Sequence, residues 1–532
     1  MNELTQEQMP LVEALLKYEQ AKHVSMHVPG HKNGAAYERA ARETNDAAHA
    51  SLYRRYAALL GQDVTEVEGT DDLHEPTGAI REAQQLAAQC FGAEETYFLV
   101  AGSTSGNIAA ILTCCTKPGD IVIVQRNVHK SVLHGLMLAG ARAVFVSPCA
   151  DAASGLLTAP SKETISAALQ RFPEAKAVVL CNPNYYGLGV DLTTIAESVH
   201  AYGLPLIVDE AHGAHYGLHP KLPKSALQAG ADLVVQSTHK MLLGMTMSAM
   251  LHTQGPRICR KRLAKALTMI QSSSPSYPLM ASLDMSRHYV QTRGPAAFTE
   301  GLAAVEYLRA WVDSSDTFSC LAMKESVKSV NRDNKDRVQS SHYGVVDPFK
   351  VVIYEHNGNC TGYYLLDRLR EHGVVAEMAD MNYVVLLCTL GTTMADVDRI
   401  ITALVRVEAQ FKLERQVESS SHPDRGHKAN KSATIRTLGF ASAQMEALIA
   451  EPIAFSIFNL DHRKVRFIDT SEAAGYDAAE AVVPYPPGIP LLYAGETISA
   501  AHIKLLKQLS DAGAKCQDAS DKTLRTLLVY EK

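Results

Sequence analysis

The feature of this sequence that most constrains its fold is an alternation of short apolar runs with helical patterns between residues 80 and 260. The runs are continuous and rich in Val, Ile and Leu, as in strands that are buried on both faces of a mostly parallel sheet. Seven runs have this character: 96–101, 120–125, 143–147, 177–181, 205–209, 232–236 and 248–252. They predict a large α/β domain with a seven-stranded, mostly parallel sheet whose functional residues follow the carboxyl ends of strands.

The chain has 532 residues, too many for one ordinary core, so we expect several domains. Helical patterns at 8–18 and 37–59 predict helices in an N-terminal segment. A stretch at 416–434 is polar and nearly free of large apolar residues, which predicts a mobile linker. The predicted divisions are an N-terminal helical segment at 1–60, the large domain at 61–294, a small α+β domain at 295–412, the linker at 413–436 and a C-terminal α+β domain at 437–532.

Composition argues against several classes of protein. The formal net charge is −6 and no long basic run occurs, which disfavours nucleic acid as a partner and is compatible with a cationic substrate. No apolar stretch is long enough to span a membrane, and the first residues lack the features of a secretory signal. The ten cysteines are scattered without C-x-x-C spacing, so we expect reduced thiols, no metal site and a cytoplasmic protein.

Two strand ends carry an acid and a lysine. The run 205–209 ends in Asp209, and the run 232–236 is followed by Ser237, His239 and Lys240. Pyridoxal phosphate needs this pair, because a lysine forms the Schiff base and an acid keeps the pyridine nitrogen protonated. Singly, Asp209 reads more readily as a helix cap and Lys240 as a surface lysine. Together, behind two buried strands, they predict a pyridoxal-phosphate site.

Two further strand ends complete the predicted site. Ser103, Thr104 and Ser105 stand in a Gly/Ser-rich turn between the run 96–101 and a helical pattern, where hydroxyls and backbone N–H groups can bind a phosphate. Alone, such a turn is usually only a helix cap, and it lacks the dinucleotide and Walker glycine patterns. His129 follows the run 120–125 and could lie on the pyridine ring and move protons.

These residues belong to a longer series of motifs that resembles a known family. The motifs are HVPGHK at 27–32, EGTDDLHEPTG at 68–78, RNVHKS at 126–131, DEAHGAH at 209–215, STHK at 237–240, SSPSY at 273–277 and YPPGIP at 485–490. The sequence resembles, over nearly its whole length, the ornithine/lysine/arginine decarboxylases of the aspartate-aminotransferase fold (fold type I). It is similar to their short form, which lacks an extra N-terminal domain.

The resemblance implies roles for individual residues. Lys240 would bind the cofactor covalently, Asp209 would pair with the pyridine nitrogen and His129 would stack on the ring. The other cofactor contacts would come from Ser103, Thr104, Ser237 and His239 at the phosphate and from His212 near the ring. The family also implies a homodimer or higher assembly with the active site at the subunit interface, reached by segment 272–277 of the neighbouring subunit.

The reaction that the resemblance implies is decarboxylation of a basic L-amino acid, feeding polyamine metabolism. Family frequencies place arginine (giving agmatine) first, lysine (cadaverine) second and ornithine (putrescine) third. Contacts to the substrate are expected from His31, Asp71, Asp72, Glu75 and Glu496, although an acidic loop such as 71–75 can equally be solvated.

Three other functions remain to be weighed. An aminotransferase or aldolase of the same fold is possible, but we find no motif for the arginine that clamps a carboxylate in aminotransferases. A catalytically silent regulatory homologue should have lost Lys240 or Asp209, and both are present. A nicotinamide-binding protein should carry the glycine fingerprint, which is absent.

Overall fold

The computed structural model describes most of the chain. The described ranges are 4–151, 154–323, 344–358, 360–421, 448–457, 463–485, 488–511 and 514–531.

The helices and strands are numbered here in chain order. The helices are α1 (Pro10–Ala21), α2 (Ala35–Glu43), α3 (Ala47–Leu60), α4 (Ala79–Phe91), α5 (Gly102–Cys114), α6 (Lys130–Ala139), α7 (Lys162–Arg171), α8 (Thr193–His200), α9 (Thr238–Met241), α10 (Arg260–Ile270), α11 (Tyr277–Arg293), α12 (Thr299–Asp313), α13 (Gly362–Glu371), α14 (Met394–Ser421) and α15 (Ala500–Asp511). The strands are β1 (Glu95–Leu99), β2 (Ile121–Gln125), β3 (Arg142–Val146), β4 (Val178–Cys181), β5 (Leu188–Gly189), β6 (Leu206–Asp209), β7 (Leu233–Gln236), β8 (Ala249–Thr253), β9 (Phe318–Cys320), β10 (Val345–Val346), β11 (Lys350–Glu355), β12 (Met378–Ala379), β13 (Val384–Leu387), β14 (Ile453–Ala454), β15 (Val465–Asp469), β16 (Val483–Pro484), β17 (Cys516–Gln517) and β18 (Thr526–Tyr530).

The chain divides into two compact units, of which the first comprises Met1–Thr116, Pro205–Pro220 and Lys224–Ala297. The strands described in this unit follow the order β1-β8-β7-β6. The strands β6 and β7 are parallel, whereas β8 is antiparallel to both β7 and β1. Consequently β1, β6 and β7 point the same way, and their carboxyl ends lie at one edge.

The strand register aligns these ends. Asp209 on β6 pairs with Val235, and the next residue of β7, Gln236, pairs with Met250 on β8. Ala249, beside Met250, pairs with Leu99, the last residue of β1. Residues that leave β1, β6 and β7 therefore start from one row across the sheet.

The second unit comprises Lys117–Leu204, Lys221–Pro223 and Phe298–Lys532. One group of its strands has the order β4-β2-β3-β14, in which β2 is parallel to β3 and β4. A separate antiparallel sheet has the order β12-β13-β11-β9. Near the carboxyl end, apolar side chains between Ala473 and Val529 form a hydrophobic cluster of their own.

The seven apolar runs all form strands, namely β1, β2, β3, β4, β6, β7 and β8. The short β14, which pairs antiparallel with β3, was not predicted, since two residues carry too little pattern to recognise. The predicted helix at 37–59 is wrong as a single element. The chain leaves the helix after Glu43, and Asp46 starts a new one by accepting hydrogen bonds from the backbone N–H groups of Ala48 and His49.

The predicted linker begins as helix in the structure. Helix α14 continues to Ser421, so residues 413–421 are helical. The rest of the predicted linker lies outside the described residues, as do Pro486 and Pro487 of the YPPGIP motif. The predicted domain boundaries therefore stay predictions.

Candidate active site

The acid and the lysine predicted from the sequence leave neighbouring parallel strands of the first unit. Asp209 is the last residue of β6, and Lys240 lies in α9, the short helix after β7. Three residues beyond Asp209, Nε2 of His212 lies 3.1 Å from Nζ of Lys240. An imidazole at hydrogen-bond distance from a primary amine can exchange a proton with it. The structure thus joins a potential covalent anchor to a potential proton acceptor.

Asp209 is held in one orientation. It is 3% exposed, and each carboxylate oxygen accepts a hydrogen bond, Oδ2 from the Nδ2 amide of Asn107 at 2.8 Å and Oδ1 from the backbone N–H of Ala211 at 3.1 Å. Sequence reasoning missed Asn107. The signal was available, because Asn107 stands four residues after Ser103 in α5 and hence on the same helix face.

The Gly/Ser-rich turn forms the start of α5 as predicted. The hydroxyl of Ser237, which precedes α9, donates to Oγ of Ser103 at 2.8 Å, so the two predicted phosphate segments meet. Thr104 is exposed beside them. The Ser105 hydroxyl donates to the carbonyl of Gly102 at 2.7 Å, so its hydrogen is already used within the first turn of α5.

His239 is positioned by Ser248, the residue that precedes β8. Its backbone N–H donates to the carbonyl of Ser248 at 3.2 Å, and its Nδ1 lies 3.0 Å from the same oxygen. With Nδ1 donating to that carbonyl, Nε2 of the neutral ring is an acceptor, and protonation makes it a second donor. His239 is half-buried, so its outer nitrogen can reach a ligand.

This donor set fits pyridoxal phosphate. Two serine hydroxyls and the N-terminus of a 13-residue helix suit a phosphate dianion. A buried carboxylate with two fixed donors suits a protonated pyridine nitrogen, and the half-buried Lys240 amine suits the covalent link.

His129 belongs to the second unit, where it precedes α6. The backbone N–H of Ser131 donates to Nδ1 of His129 at 3.2 Å, and the Ser131 hydroxyl lies 2.9 Å from the same nitrogen. An Nδ1 that accepts a hydrogen bond places the proton of the neutral ring on Nε2. A β-carbon built on Gly488 would lie 3.2 Å from that Nε2, so the chain at Gly488 passes close to the ring.

Glu496, predicted to bind substrate, has a protein partner. Both of its carboxylate oxygens accept from one guanidinium nitrogen of Arg126, at 2.9 Å and 2.8 Å. Arg126 is 5% exposed, and sequence reasoning gave it no role. Although burial favours the neutral form, the neighbouring Tyr493 and Glu496 raise the pKa of Arg126, so its charge persists and balances Glu496.

Asp71 and Asp72, in the acidic loop, bind their own backbone. Asp71 accepts hydrogen bonds from backbone N–H groups at 77–81, around the start of α4. Partial burial opposes these bonds, but they lower the pKa of Asp71 overall. Asp72 accepts from the backbone N–H of His74, whereas Glu75 is exposed.

The remaining predicted residues lie near this loop or in the N-terminal segment. The ring of His74 lies 2.8 Å from the carbonyl of Ser272, and the Tyr277 hydroxyl donates to the carbonyl of Asp71 at 2.5 Å, so segment 272–277 packs on the acidic loop of its own chain. Nε2 of His31 lies 3.2 Å from the carboxylate of Asp63.

The described part of the chain lacks both a metal site and a membrane-spanning helix. In that part of the chain, no group of His, Cys, Asp and Glu is arranged to hold a metal ion. Within the same ranges, no helix combines the length and the apolar character needed to cross a membrane.

Comparison with known proteins identifies relatives over the whole length. Residues 9–396 match the family model described as Orn/Lys/Arg decarboxylase, major domain, and residues 442–516 match that of the C-terminal domain. The uncharacterized protein YaaO of Bacillus subtilis is 38% identical over 523 residues, 98% of both chains. An arginine decarboxylase of Bacillus anthracis is 31% identical over 533 residues, 100% of this chain and 99% of its own.

Among solved structures, lysine decarboxylase A from Pseudomonas aeruginosa superposes with a TM-score of 0.76 at 22% identity. The match covers 98% of this chain and 80% of that one. This likeness confirms the predicted fold, an α/β fold type I architecture with smaller α+β parts.

Proposed function

Because the chain belongs to the Orn/Lys/Arg decarboxylase family and is therefore a pyridoxal-phosphate-dependent decarboxylase of a basic amino acid, we propose that its substrate is L-arginine, which it converts to agmatine and carbon dioxide. Lysine is the second candidate and ornithine the third. The observation that carries this order is the full-length similarity to relatives named arginine decarboxylase. The product amine would enter polyamine metabolism.

The first unit would hold the cofactor. Lys240 would bind it through Nζ, Asp209 would face the pyridine nitrogen, and Ser103, Ser237 and the start of α5 would bind the phosphate. Bound pyridoxal phosphate supplies an electron sink for the pair left when the α-carboxylate departs. Because Asn107 and the Ala211 N–H fix the Asp209 carboxylate, the carboxylate would keep a proton on the pyridine nitrogen throughout turnover.

Proton movements would fall to residues whose geometry suits them. His212, 3.1 Å from Nζ of Lys240, would take or return a proton at that nitrogen. His129 would present an Nε2–H to the ring face, since its Nδ1 is occupied by Ser131. The α-carbon would then receive its proton from Lys240 or from His129.

Glu75 is our proposed contact for the distal cation of the substrate. Asp71, Asp72 and Glu496 bind groups of their own chain, whereas the Glu75 carboxylate is exposed. Glu75→Gln should raise KM for arginine about tenfold or more with little change in kcat, because the hydrogen bond to the substrate cation loses the charge of its acceptor. An unchanged KM would remove Glu75 from the substrate site, and Glu82→Gln, on the nearby α4, is the matched control.

Product analysis tests the proposed substrate directly. The protein, loaded with pyridoxal phosphate, is incubated separately with L-arginine, L-lysine and L-ornithine, and the released amine is identified by mass spectrometry. We expect agmatine in excess over cadaverine and putrescine. If cadaverine predominates, lysine replaces arginine as the substrate.

The covalent role of Lys240 has a spectroscopic test. Lys240→Ala should lose the visible absorbance of the bound cofactor together with amine formation, whereas Lys221→Ala, which removes an exposed lysine, should keep both. Retention of visible absorbance and activity in Lys240→Ala would overturn the assignment.

We also propose that the protein is a homodimer or higher assembly. Three apolar side chains in or just before the HVPGHK motif of the first unit are strongly exposed, Val24 at 86%, Met26 at 84% and Val28 at 67%. Such exposure in one short segment suits a surface that a second copy of the chain covers. Light scattering should give at least twice 57.8 kDa, and Met26→Lys should shift the assembly toward monomer. A monomeric wild-type protein would contradict this proposal.

A further inference from the structure

Arg126 is a buried cation without a place in the proposed chemistry. It directly follows β2 and precedes His129 by three residues. Its backbone N–H donates to the carbonyl of Val146 at 2.9 Å, which anchors its main chain beside the end of β3. Arg126 and His129 therefore lie on the same short loop.

The guanidinium of Arg126 binds one short stretch of the C-terminal region. Besides the ion pair with Glu496, it donates to the carbonyls of Pro490 at 3.3 Å and Leu491 at 3.1 Å. Its central carbon lies 3.8 Å from the ring centroid of Tyr493, whose hydroxyl donates back to the Arg126 carbonyl at 2.5 Å. The Arg126 cation thus contacts a carboxylate, an aromatic ring and two carbonyl oxygens, all from residues 490–496.

Further contacts join the loop at His129 to the C-terminal region. The backbone N–H of Lys130 donates to the carbonyl of Gly488 at 3.2 Å, and Nζ of Lys130 donates to Oε1 of Gln517 at 2.6 Å. Gly488 has φ +83, and a β-carbon there would meet the imidazole of His129 at 3.2–3.3 Å. Glycine is thus required for both the backbone conformation and the close approach to the ring.

We propose that residues 488–496 dock onto the loop 126–130 to fix the His129 ring, with Arg126 and Gly488 as positioning residues. Arg126 holds the segment through Glu496 and Tyr493, and Gly488 limits the space beside Nε2 of His129. This inference rests on the proposed role of His129 in the reaction. It also explains a glutamate that resembled a substrate ligand in the sequence, since its charge neutralises Arg126.

Docking itself can be tested in the cofactor-free protein by hydrogen exchange. Glu496→Gln leaves the buried guanidinium of Arg126 without its counter-charge, and Arg126→Met does the same to the half-buried carboxylate of Glu496. Amides of the peptide that contains residues 126–131 should then exchange at least about tenfold faster, because local opening becomes easier. The rate at which diethylpyrocarbonate modifies His129 should rise with it, as mapped by mass spectrometry.

The C-terminal region offers a matched control. Arg463 is exposed, pairs with Asp477 at 2.7 Å and stacks over Tyr530 at 4.2 Å. Arg463→Met removes the same kinds of contact, and it should leave both the exchange of 126–131 and the His129 modification rate unchanged. Equal effects of Arg463→Met and Arg126→Met would overturn the proposal.

Positioning, as opposed to general stability, has its own signature in the loaded enzyme. Gly488→Ala keeps the Arg126–Glu496 pair but intrudes on the imidazole, so it should alter the visible circular dichroism of the bound cofactor. It should also lower kcat by up to about 100-fold at nearly unchanged KM, the scale of a displacement of about 1 Å. Arg126→Lys should restore part of the activity that Arg126→Met loses, because the charge is kept but the forked geometry is not.

These measurements distinguish a failure of docking from a failure of the proposed role of His129. If His129→Gln retains full activity, the proposed role of His129 fails, while the exchange measurements still report on docking. If Glu496→Gln leaves the exchange of 126–131 at the wild-type rate, the docking proposal fails whatever His129 does. If Arg126→Met does not fold, Glu496→Gln and Gly488→Ala test the docking proposal in its place.

Discussion

Glu210, the residue after Asp209, should make the stability of this protein fall as the pH rises. Its carboxyl group is fully buried, with one oxygen accepting from the backbone N–H of Ala226 at 2.7 Å and the other from the amide of Gln236 at 2.7 Å. Burial raises the pKa of Glu210 to about 8, against the stabilising effect of these two hydrogen bonds on the charged form. The negative charge of Asp209 acts in the same direction as burial.

The sign follows from where each state holds the proton. In unfolded chains the group ionises near 4.5, so between pH 4.5 and about 8 the folded protein binds a proton that the unfolded chain has released. Stability from this group is full below 4.5 and is lost as the pH rises toward 8. At 1.36 kcal/mol per pH unit, the loss is about 5 kcal/mol.

Glu210→Gln removes this dependence while keeping the hydrogen bonds. Gln236 also reaches Nε2 of His252 at 3.1 Å, and Nδ1 of His252 lies 2.8 Å from the hydroxyl of Thr96. If the Gln236 amide turns over and His252 changes tautomer, a glutamine at position 210 can donate to Gln236. Each hydrogen bond in the series from position 210 to Thr96 then keeps its two partners but reverses its direction. Because burial lowers the pKa of His252 to about 3, that ring stays neutral throughout the measured range.

The assay is urea unfolding followed by circular dichroism from about pH 5 to about pH 8, with the variant compared to wild type at each pH. Relative to wild type, Glu210→Gln should gain about 3–4 kcal/mol of unfolding free energy between about pH 5 and about pH 8, because the ends of the titration fall outside this range. Glu174→Gln, at an exposed position, should give curves parallel to wild type. Difference infrared spectra should show a protonated carboxyl near neutral pH that Glu210→Gln lacks. Parallel curves for Glu210→Gln and no such band would refute the reasoning.

Two further predictions concern packing and charge in the first unit. A β-carbon at Gly106 in α5 would lie 2.7 Å from Leu99 and 2.8 Å from Val235, so Gly106→Ala should destabilise by about 1–3 kcal/mol in thermal unfolding; an unchanged melting temperature would mean that α5 can shift from the strands. Arg287 and Asp284 form a fully buried pair at 2.5 Å, so Arg287→Met should cost about 3–5 kcal/mol in urea unfolding. Adding Asp284→Asn should recover part of that loss, and a double variant no more stable than the single one would contradict this account.

Much of the first unit could be predicted because its strands and site residues are marked by short, continuous stretches of sequence. Each buried strand is a continuous apolar run, and each site residue follows such a run within a few positions, as Asp209 and Lys240 do. Parallel strand direction then places them at one edge without any knowledge of distant contacts. The break between α2 and α3 also has a local cause, the capping side chain of Asp46. The single helix at 37–59 was predicted from apolar periodicity alone, which does not show such a cap.

The contacts missed are those between segments far apart in the chain. Asn107 and Asp209 are separated by 102 positions, and Arg126 and Glu496 by 370. A spacing of that size carries no periodicity, so one sequence alone does not indicate which cation neutralises which acid. Asn107 could still have been suggested by helix periodicity, but the partner of Arg126 could not.

The cofactor could be predicted from the sequence, whereas the substrate could not. The cofactor site needs residue types that are diagnostic in combination, whereas a basic substrate needs only a carboxylate, which is common and usually already in use. Of the four acids proposed as substrate ligands, Asp71 and Asp72 bind backbone N–H groups and Glu496 binds Arg126. A carboxylate is therefore evidence for a substrate site only after its contacts within its own chain have been accounted for, and in this protein that leaves Glu75 as the acid to test first.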